Sequence, residues 1–285
     1  MNDIIGRFKY ILNKAVVLVL SLAALLAFAL PLCAAEVSVA AASPWLCHIA
    51  AFIGGRHAKV RPLAVWNASG GESRVRRPAA QEIVIAFDLK EATRLGISSK
   101  NKKLRLLYPN FPYDDNARRV VFFDTASLPF AAHGIMKIFA EYDKKNYAYY
   151  QRRLAEYQSQ IDAASDMGRH TLGNVKILDL TGAEGTFVRA SVSGIVRPPQ
   201  KVWESWLKGD IVALKAALNE AERRNWLILL DVWTPQTIRN AALTHAYRLT
   251  LKSPQNGEDY FTFLRNIFTQ ISDKIKTLPE KSGVK

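Results

Sequence analysis

The sequence has 285 residues, 49% of them hydrophobic and 10% aromatic, a composition that excludes a disordered chain. Its formal net charge of +14 at pH 7 describes a surface that attracts anions and repels cations at long range. No helix-turn-helix, zinc-finger or aromatic RNA-binding motif accompanies this charge. Nucleic acid is therefore not expected as a partner.

The first 35 residues have the layout of a secretory signal peptide. A basic segment opens the chain, and the uncharged apolar run Ala15 to Leu32 follows it. Small residues then lead to Ala35, where we expect cleavage, so that the mature chain is periplasmic and keeps Cys47 as its single cysteine. The alternative is an anchor in the inner membrane formed by residues 15–32, because this run is just long enough to span a bilayer.

Short apolar strands alternate with amphipathic helices along the mature chain. Strands are predicted at residues 37–41, 58–65, 82–87, 104–108, 120–123, 175–180, 226–230 and 247–251. Helices are predicted at residues 45–53, 89–95, 146–167, 202–207 and 211–224, with two more that begin after Pro235 and Asp259. This alternation predicts an α/β protein with parallel-type sheets covered by helices.

The strongest helical pattern lies near the middle of the chain. Tyr147, Tyr150, Leu154 and Tyr157 recur at spacings of three and four, which places them on one helical face. A helix over residues 146–167 would be about 30 Å long, enough to run along two lobes rather than inside one. The predicted regions are a signal peptide (1–35), an N-terminal lobe (36–145), one long rigid bridging helix (146–168) and a C-terminal lobe (169–285).

Three loose motifs occur in a fixed order in this framework. Asp-x-x-x-Leu begins at Asp124, Asp-x-x-Asn-x-x-x-Tyr begins at Asp143, and Gly-x-Phe begins at Gly185. With this order and spacing, nearly the whole mature chain resembles the zinc- and manganese-binding periplasmic proteins of ABC importers. The resemblance implies two bridged lobes, a cleft that binds zinc or manganese, and an ABC permease of the inner membrane as partner.

The ligands that this family uses are missing here. The family binds its cation through three histidines and one carboxylate, and the matching positions fall at or near Arg74, on Ala126, on Thr181, and on Lys252 or Ser253. A dication needs imidazole, thiolate or carboxylate donors, whereas arginine and protonated lysine repel it. The resemblance therefore implies a degenerate member of the family, and no cofactor is expected.

Ligands of parallel α/β sheets bind beyond the carboxyl ends of the strands, which selects the candidate residues of the cleft. These candidates are Arg74, Asp124, Ala126, Thr181, Glu184, Asp231, Trp233 and Lys252. The arginine run at residues 74–77 favours an anionic ligand or an acidic protein surface as partner, although such a run is also typical of a solvated face. Outside candidates for a metal site are His48, His57 and His170, but no His-x-x-x-His pair supports one.

Catalytic motifs are missing from the sequence. No Gly-x-Ser-x-Gly elbow and no phosphate-binding glycine loop is present, so an enzyme is not expected.

We predict an exported solute-binding protein related to the substrate-binding subunit of a zinc or manganese ABC importer, and accessory to uptake of a metal or another solute. The alternative is a periplasmic interaction protein that keeps the fold and has lost metal binding. A closed cleft in which Arg74 pairs with Glu184 or Asp231 would favour that alternative.

Overall fold

The structure, a computed structural model, describes residues 36–111 and 114–278. The described residues from Val37 onwards belong to one compact unit. The predicted signal peptide over residues 1–35, with its alternative as an anchor, lies outside the described residues. Among the described residues, no helix is both long enough and apolar enough to cross a membrane.

Two four-stranded sheets, each wholly parallel, organise the chain. The first sheet has the order β2-β1-β5-β6 and the second has the order β10-β9-β7-β8, and a separate antiparallel hairpin pairs β3 with β4. The strands are β1 (Val37–Ala41), β2 (Ala58–Pro62), β3 (Ala64–Trp66), β4 (Glu72–Arg74), β5 (Ile83–Ala86), β6 (Leu104–Leu106), β7 (Ile177–Asp179), β8 (Ile195–Val196), β9 (Leu227–Leu230) and β10 (Arg248–Thr250). The predicted α/β class with parallel sheets is confirmed.

Helices cover both sheets and bury their apolar sides against them. The α-helices are α1 (Pro44–Gly54), α2 (Leu89–Arg94), α3 (Asp115–Val121), α4 (Leu128–Tyr142), α5 (Tyr147–Leu172), α6 (Gly185–Ser191), α7 (Gln200–Leu207), α8 (Ile211–Arg223), α9 (Gln236–Ala242) and α10 (Tyr260–Lys276). Predicted caps are present, because the side chains of Asp210 and Asp259 accept hydrogen bonds from the first turns of α8 and α10. We call β1–β6 with α1–α4 the N-terminal lobe, and β7–β10 with α6–α10 the C-terminal lobe.

The long helix α5 connects the two lobes and packs against both. It contacts α1 and α4 on one side and α6 and α10 on the other. With 26 residues it is about 39 Å long, and it continues to Leu172, beyond the predicted end. Gly168 permits the close contact with α10, because a Cβ atom there would lie 2.4 Å from Cζ of Phe268. The described hydrophobic core continues through both lobes.

Two strand predictions in the N-terminal lobe, at residues 120–123 and 58–65, are wrong. Residues 120–123 are not a strand but the end of α3 and the turn that follows it. The first turn of α3 is capped by the Asp114 carboxylate, at 2.9 Å from the Ala117 nitrogen. The apolar run there is buried because Phe122 and Phe123 enter a cluster of aromatic rings. Residues 58–65 form two strands, because the chain leaves the sheet at Leu63 and β3 joins the hairpin instead.

Candidate functional site

The candidate site lies where the loops after the strands of the two lobes meet. In the first sheet the chain moves to opposite sides of β1, and in the second sheet to opposite sides of β7. Such switch points are where parallel α/β sheets leave a crevice for a ligand. In this protein, the space between the lobes is occupied by the protein's own side chains.

An aromatic cluster fills the boundary between the lobes. Its N-terminal-lobe members are Trp45, Trp66, Phe122 and Phe123, and its C-terminal-lobe members are Trp233, Tyr260 and Phe263. Across the boundary, the ring centroid of Trp233 lies 6.2 Å from that of Trp45 and 5.9 Å from that of Phe123. Trp45 is buried at the centre. The sequence predicted a role for Trp233 in the cleft, but its packing against aromatic residues from the other lobe depends on long-range contacts.

Hydrogen bonds between side chains of one lobe and the backbone of the other reinforce this contact. The side-chain amide of Asn256 makes two 2.9 Å hydrogen bonds with the main chain of Trp66, one to its nitrogen and one to its oxygen. The indole nitrogen of Trp233 donates to the Gly70 oxygen at 2.8 Å. Gly70 has a φ of +71°, and a Cβ atom there would lie 2.4 Å from Cγ2 of Val232. Glycine is therefore required for this approach.

Asp231 organises the loop after β7. It is fully buried at the end of β9, and its carboxylate accepts hydrogen bonds from the backbone nitrogens of Gly182, Ala183, Glu184 and Trp233. Backbone N–H groups that converge on a buried carboxylate replace the water that it loses. Asp231 therefore holds the 182–184 loop in place by accepting hydrogen bonds from the backbone of the chain itself.

Thr181 is also directed into the protein rather than into an open cleft. Its hydroxyl donates to Asp179 Oδ1 at 2.7 Å and accepts from the Gly185 nitrogen at 2.9 Å. Asp179 in turn pairs with Arg189 and Arg197. This network holds the turn that leads into α6. The Thr181 hydroxyl hydrogen is already used in the bond to Asp179 and is not available to a ligand.

Glu184 is the unusual group of this loop. Its side chain is fully buried, and neither carboxylate oxygen has a hydrogen-bond partner among the described residues. Burial, with the nearby charge of Asp231, raises the pKa of Glu184 well above its ordinary value. The carboxyl is consequently neutral in the folded protein over a pH range in which an exposed glutamate is ionised.

This neutral carboxyl predicts a specific pH dependence of stability. Above the ordinary glutamate pKa of 4.5, the unfolded chain releases a proton that the folded chain retains, so the free energy of unfolding falls as pH rises. Glu184→Gln should remove this pH dependence of the free energy of unfolding. The variant should be more stable than the parent at pH 8 by about 1 kcal/mol or more, with a smaller gain at pH 5. Urea denaturation at both pH values measures it, with the exposed Glu204→Gln as control. Equal gains at the two pH values would contradict the expectation.

Two arginines of the run at residues 74–77, Arg74 and Arg76, make contacts within the N-terminal lobe. Arg76 and Arg61 both pair with the buried carboxylate of Glu82, at 2.8 and 2.7 Å. Arg74 is exposed and donates to the Arg76 oxygen at 3.3 Å. The pairing of Arg74 with Glu184 or Asp231, which would have favoured the interaction protein, is not found among the described contacts.

The remaining candidates lie apart from one another. Asp124 accepts from the Ala126 nitrogen at 3.2 Å and so caps the turn before α4, which leaves Ala126 exposed. Lys252 is exposed, donates its backbone N–H to the Gln270 side chain at 3.0 Å, and borders a surface groove of about 350 Å³. No hydrogen bond or ion pair among the described residues joins Arg74, Ala126, Thr181 and Lys252 to one another.

The donors needed by a dication do not converge in the described part of the chain. His48 stacks on Tyr260, His57 packs against Tyr149, and His170 bonds to its own helix through the Asp166 oxygen. Across residues 36–111 and 114–278, no group of three or more histidine, cysteine, aspartate or glutamate side chains could hold a metal ion. The residues present do not fit the zinc or manganese that the resemblance implies.

A cavity in the N-terminal lobe was missed by the sequence analysis. It has a volume of about 70 Å³ and borders the boundary between the lobes. Its lining combines aromatic and charged side chains: Trp45, Trp66, Glu72, Glu91, Arg94, Asp115, Arg118, Arg119 and Phe122, with Gly70 and Gly71. No local pattern marks these positions, since they come from four separate elements.

Comparison with known proteins agrees with the fold and adds no close relative. No family model and no curated protein matches the chain. The crystal structure of ZnuA matches with a TM-score of 0.57 at 13% identity, over 84% of this chain and 98% of that one. Fe(III)-bound YtgA from Chlamydia trachomatis matches with a TM-score of 0.58 at 12% identity, over 86% and 100%.

A third solved structure extends the same likeness. FpvC from Pseudomonas aeruginosa, a solute-binding protein in complex with Mn²⁺, matches with a TM-score of 0.54 at 14% identity, over 85% of this chain and 98% of that one. At such identities the matches establish a shared fold. The chain therefore has the two-lobed α/β fold of the periplasmic metal-binding solute-binding proteins.

Proposed function

We propose that this protein is an exported solute-binding protein that acts in solute uptake as an accessory component, not as the carrier of zinc or manganese. The observation that carries the proposal is the combination of a solute-binding fold with a boundary between lobes that lacks metal donors among the described residues. The N-terminal segment supports export to the periplasm. The working partner would be an ABC permease of the inner membrane, as for the family that the sequence resembles.

The loop chemistry supports a binding role rather than catalysis. The buried carboxylates Asp179 and Asp231 are saturated by arginine and backbone donors. A side chain with its donors and acceptors already paired cannot serve readily as a general base or nucleophile. We therefore assign no reaction to this site.

Metal titration tests the accessory role. Elemental analysis and titration calorimetry with zinc and manganese, on protein purified after expression of the full chain, should show no stoichiometric metal and no heat of tight binding. The physical reason is that two of the four ligand positions carry cationic side chains and the other two carry alanine and threonine. Tight 1:1 metal binding would overturn the accessory assignment.

Uptake in the native host tests the transport role. Deletion of the gene should reduce uptake of a solute, and expression of the full chain from a plasmid should restore it. Cell fractionation should place the protein in the periplasmic fraction. Unchanged uptake across metals and small anions would contradict a role in transport.

A further inference from the structure

The cavity beside Arg119 presents more hydrogen-bond donors than its own acceptors satisfy. The rings of Trp45 and Trp66 line it, these residues are only 1% and 6% exposed, and the Nε1 atom of each has no hydrogen-bond partner among the described residues. Buried indole N–H groups normally find an acceptor, because burial without one costs free energy. Both residues that line the cavity therefore carry a buried indole donor without an acceptor.

Three arginines and three carboxylates line the cavity, and ion pairs account for only part of them. Arg94 pairs with Glu72 at 2.6 Å, and Arg118 pairs with Asp115 at 2.8 Å and lies 3.6 Å from Asp88. These pairs satisfy two of the three arginines. The third, Arg119, has no ion pair among the described residues.

Arg119 is held in place without being neutralised. Its Nη1 donates to the Asn116 side chain at 3.1 Å, and its guanidinium carbon lies 5.7 Å from the ring centroid of Trp233. An arginine has five N–H donors in a planar fork, so most of those of Arg119 stay available. A half-buried guanidinium without a counterion favours an anion with two or more oxygens.

We propose that this cavity binds a small oxyanion, held by the Arg119 guanidinium and the indole N–H groups of Trp45 and Trp66. The volume of about 70 Å³ admits a compact anion, such as a short carboxylate or a tetrahedral oxyanion, and excludes a larger solute. The inference rests on the proposed solute-binding function and names the chemical class of the solute.

Glu91 makes the site sensitive to pH. Its carboxyl is buried in the cavity wall and accepts from the Phe87 nitrogen at 2.7 Å, while burial, together with the charge of Glu72, raises its pKa to about 7. The charged groups that face Glu91 from the neighbouring elements are Glu72, Asp88, Arg94, Asp115, Arg118 and Arg119. Protonation of Glu91 below this pKa removes a negative charge beside the anion, so binding should tighten as pH falls from 8 to 6.

Titration calorimetry with sodium sulfate, phosphate and acetate, at pH 6 and constant ionic strength, tests the proposal. The parent protein should bind at least one of these probes at a single site. Arg119→Gln should weaken that binding by about tenfold or more, because it removes a charge-assisted bidentate contact. The matched control is Arg152→Gln, which removes the same charge from an exposed position on α5 and should leave binding unchanged.

Two further variants separate binding from folding. Trp66→Phe keeps the ring and removes the indole N–H, and should weaken binding by roughly three- to tenfold. Glu91→Gln should abolish the difference in sulfate affinity between pH 6 and pH 8, since sulfate keeps its charge over this range. No binding of any probe, or equal binding by the parent and Arg119→Gln, overturns the proposal. If Arg119→Gln does not fold, Trp66→Phe decides in the same way.

The outcome is distinguishable from a failure of the proposed function. If the protein binds no oxyanion but the deletion strain has a transport defect, only the assigned ligand class is refuted. Oxyanion binding that Arg119→Gln abolishes, together with normal uptake in the deletion strain, would support the site and refute the transport role.

Discussion

Asp231→Ala is expected to lower the free energy of unfolding by about 3–5 kcal/mol. The carboxylate is fully buried and accepts from four backbone N–H groups, three of them in the loop that precedes α6. Alanine would leave these donors buried without acceptors. Chemical denaturation of the variant and the parent measures the difference.

A matched aspartate shows whether the loss comes from burial. Asp210 also accepts from backbone nitrogen, at the start of α8, but it is exposed. Asp210→Ala should cost only about 1 kcal/mol, the usual value for a lost helix cap. Similar losses for the two variants would show that the buried N–H groups of the 182–184 loop find water or other partners, contrary to the arrangement described.

Trp45→Ala should cost about 3–5 kcal/mol, because it empties the centre of the contact between the lobes. Its ring centroid lies 4.5 Å from that of Trp66 in the same lobe, and 6.1 Å and 6.2 Å from those of Tyr260 and Trp233 in the other lobe. The void would face aromatic rings on both sides. We therefore expect both a loss of stability by denaturation and a weaker near-ultraviolet circular dichroism signal from the aromatic cluster.

Two controls define the origin of this effect. Trp203 is half-buried, packs at the edge of the core of the C-terminal lobe and stacks with Arg197, so Trp203→Ala should cost less than Trp45→Ala. Trp45→Phe keeps an aromatic ring at the centre and should recover most of the loss. If Trp45→Ala were no more destabilising than Trp203→Ala, the two lobes would not depend on the cluster for their contact.

The replacement of the metal ligands could be read without a structure, but the arrangement that takes their place could not. The resemblance implies Ala126 and Thr181 at two of the four ligand positions, and the other two at or near Arg74 and at Lys252 or Ser253. That Thr181 bonds to Asp179, and that Arg76 rather than Arg74 pairs with Glu82, depends on side-chain directions in the folded chain. At the boundary between the lobes, Trp233 packs against Trp45 and Phe123, a contact that no local pattern predicts.

The sequence by itself determined the local features of this protein. The continuous apolar runs predicted the buried strands β5 and β9, and the spacing of three and four along residues 147–161 predicted α5, because a strand or helix is set by the pattern of neighbouring residues. The caps at Asp210 and Asp259 were equally local.

Only the tertiary structure decided how distant segments meet. The contact of Trp66 with Asn256 spans 190 residues, and the cavity beside Arg119 is assembled from α1, the β3-β4 hairpin, α2 and α3. Residues 120–123 show the same limit, because an apolar run can be buried in a strand or at the end of a helix. Here Phe122, which follows α3, packs against Trp45. The hydrophobic periodicity of a segment indicates which side of a helix or strand is buried. Long-range packing decides which other element that side is buried against.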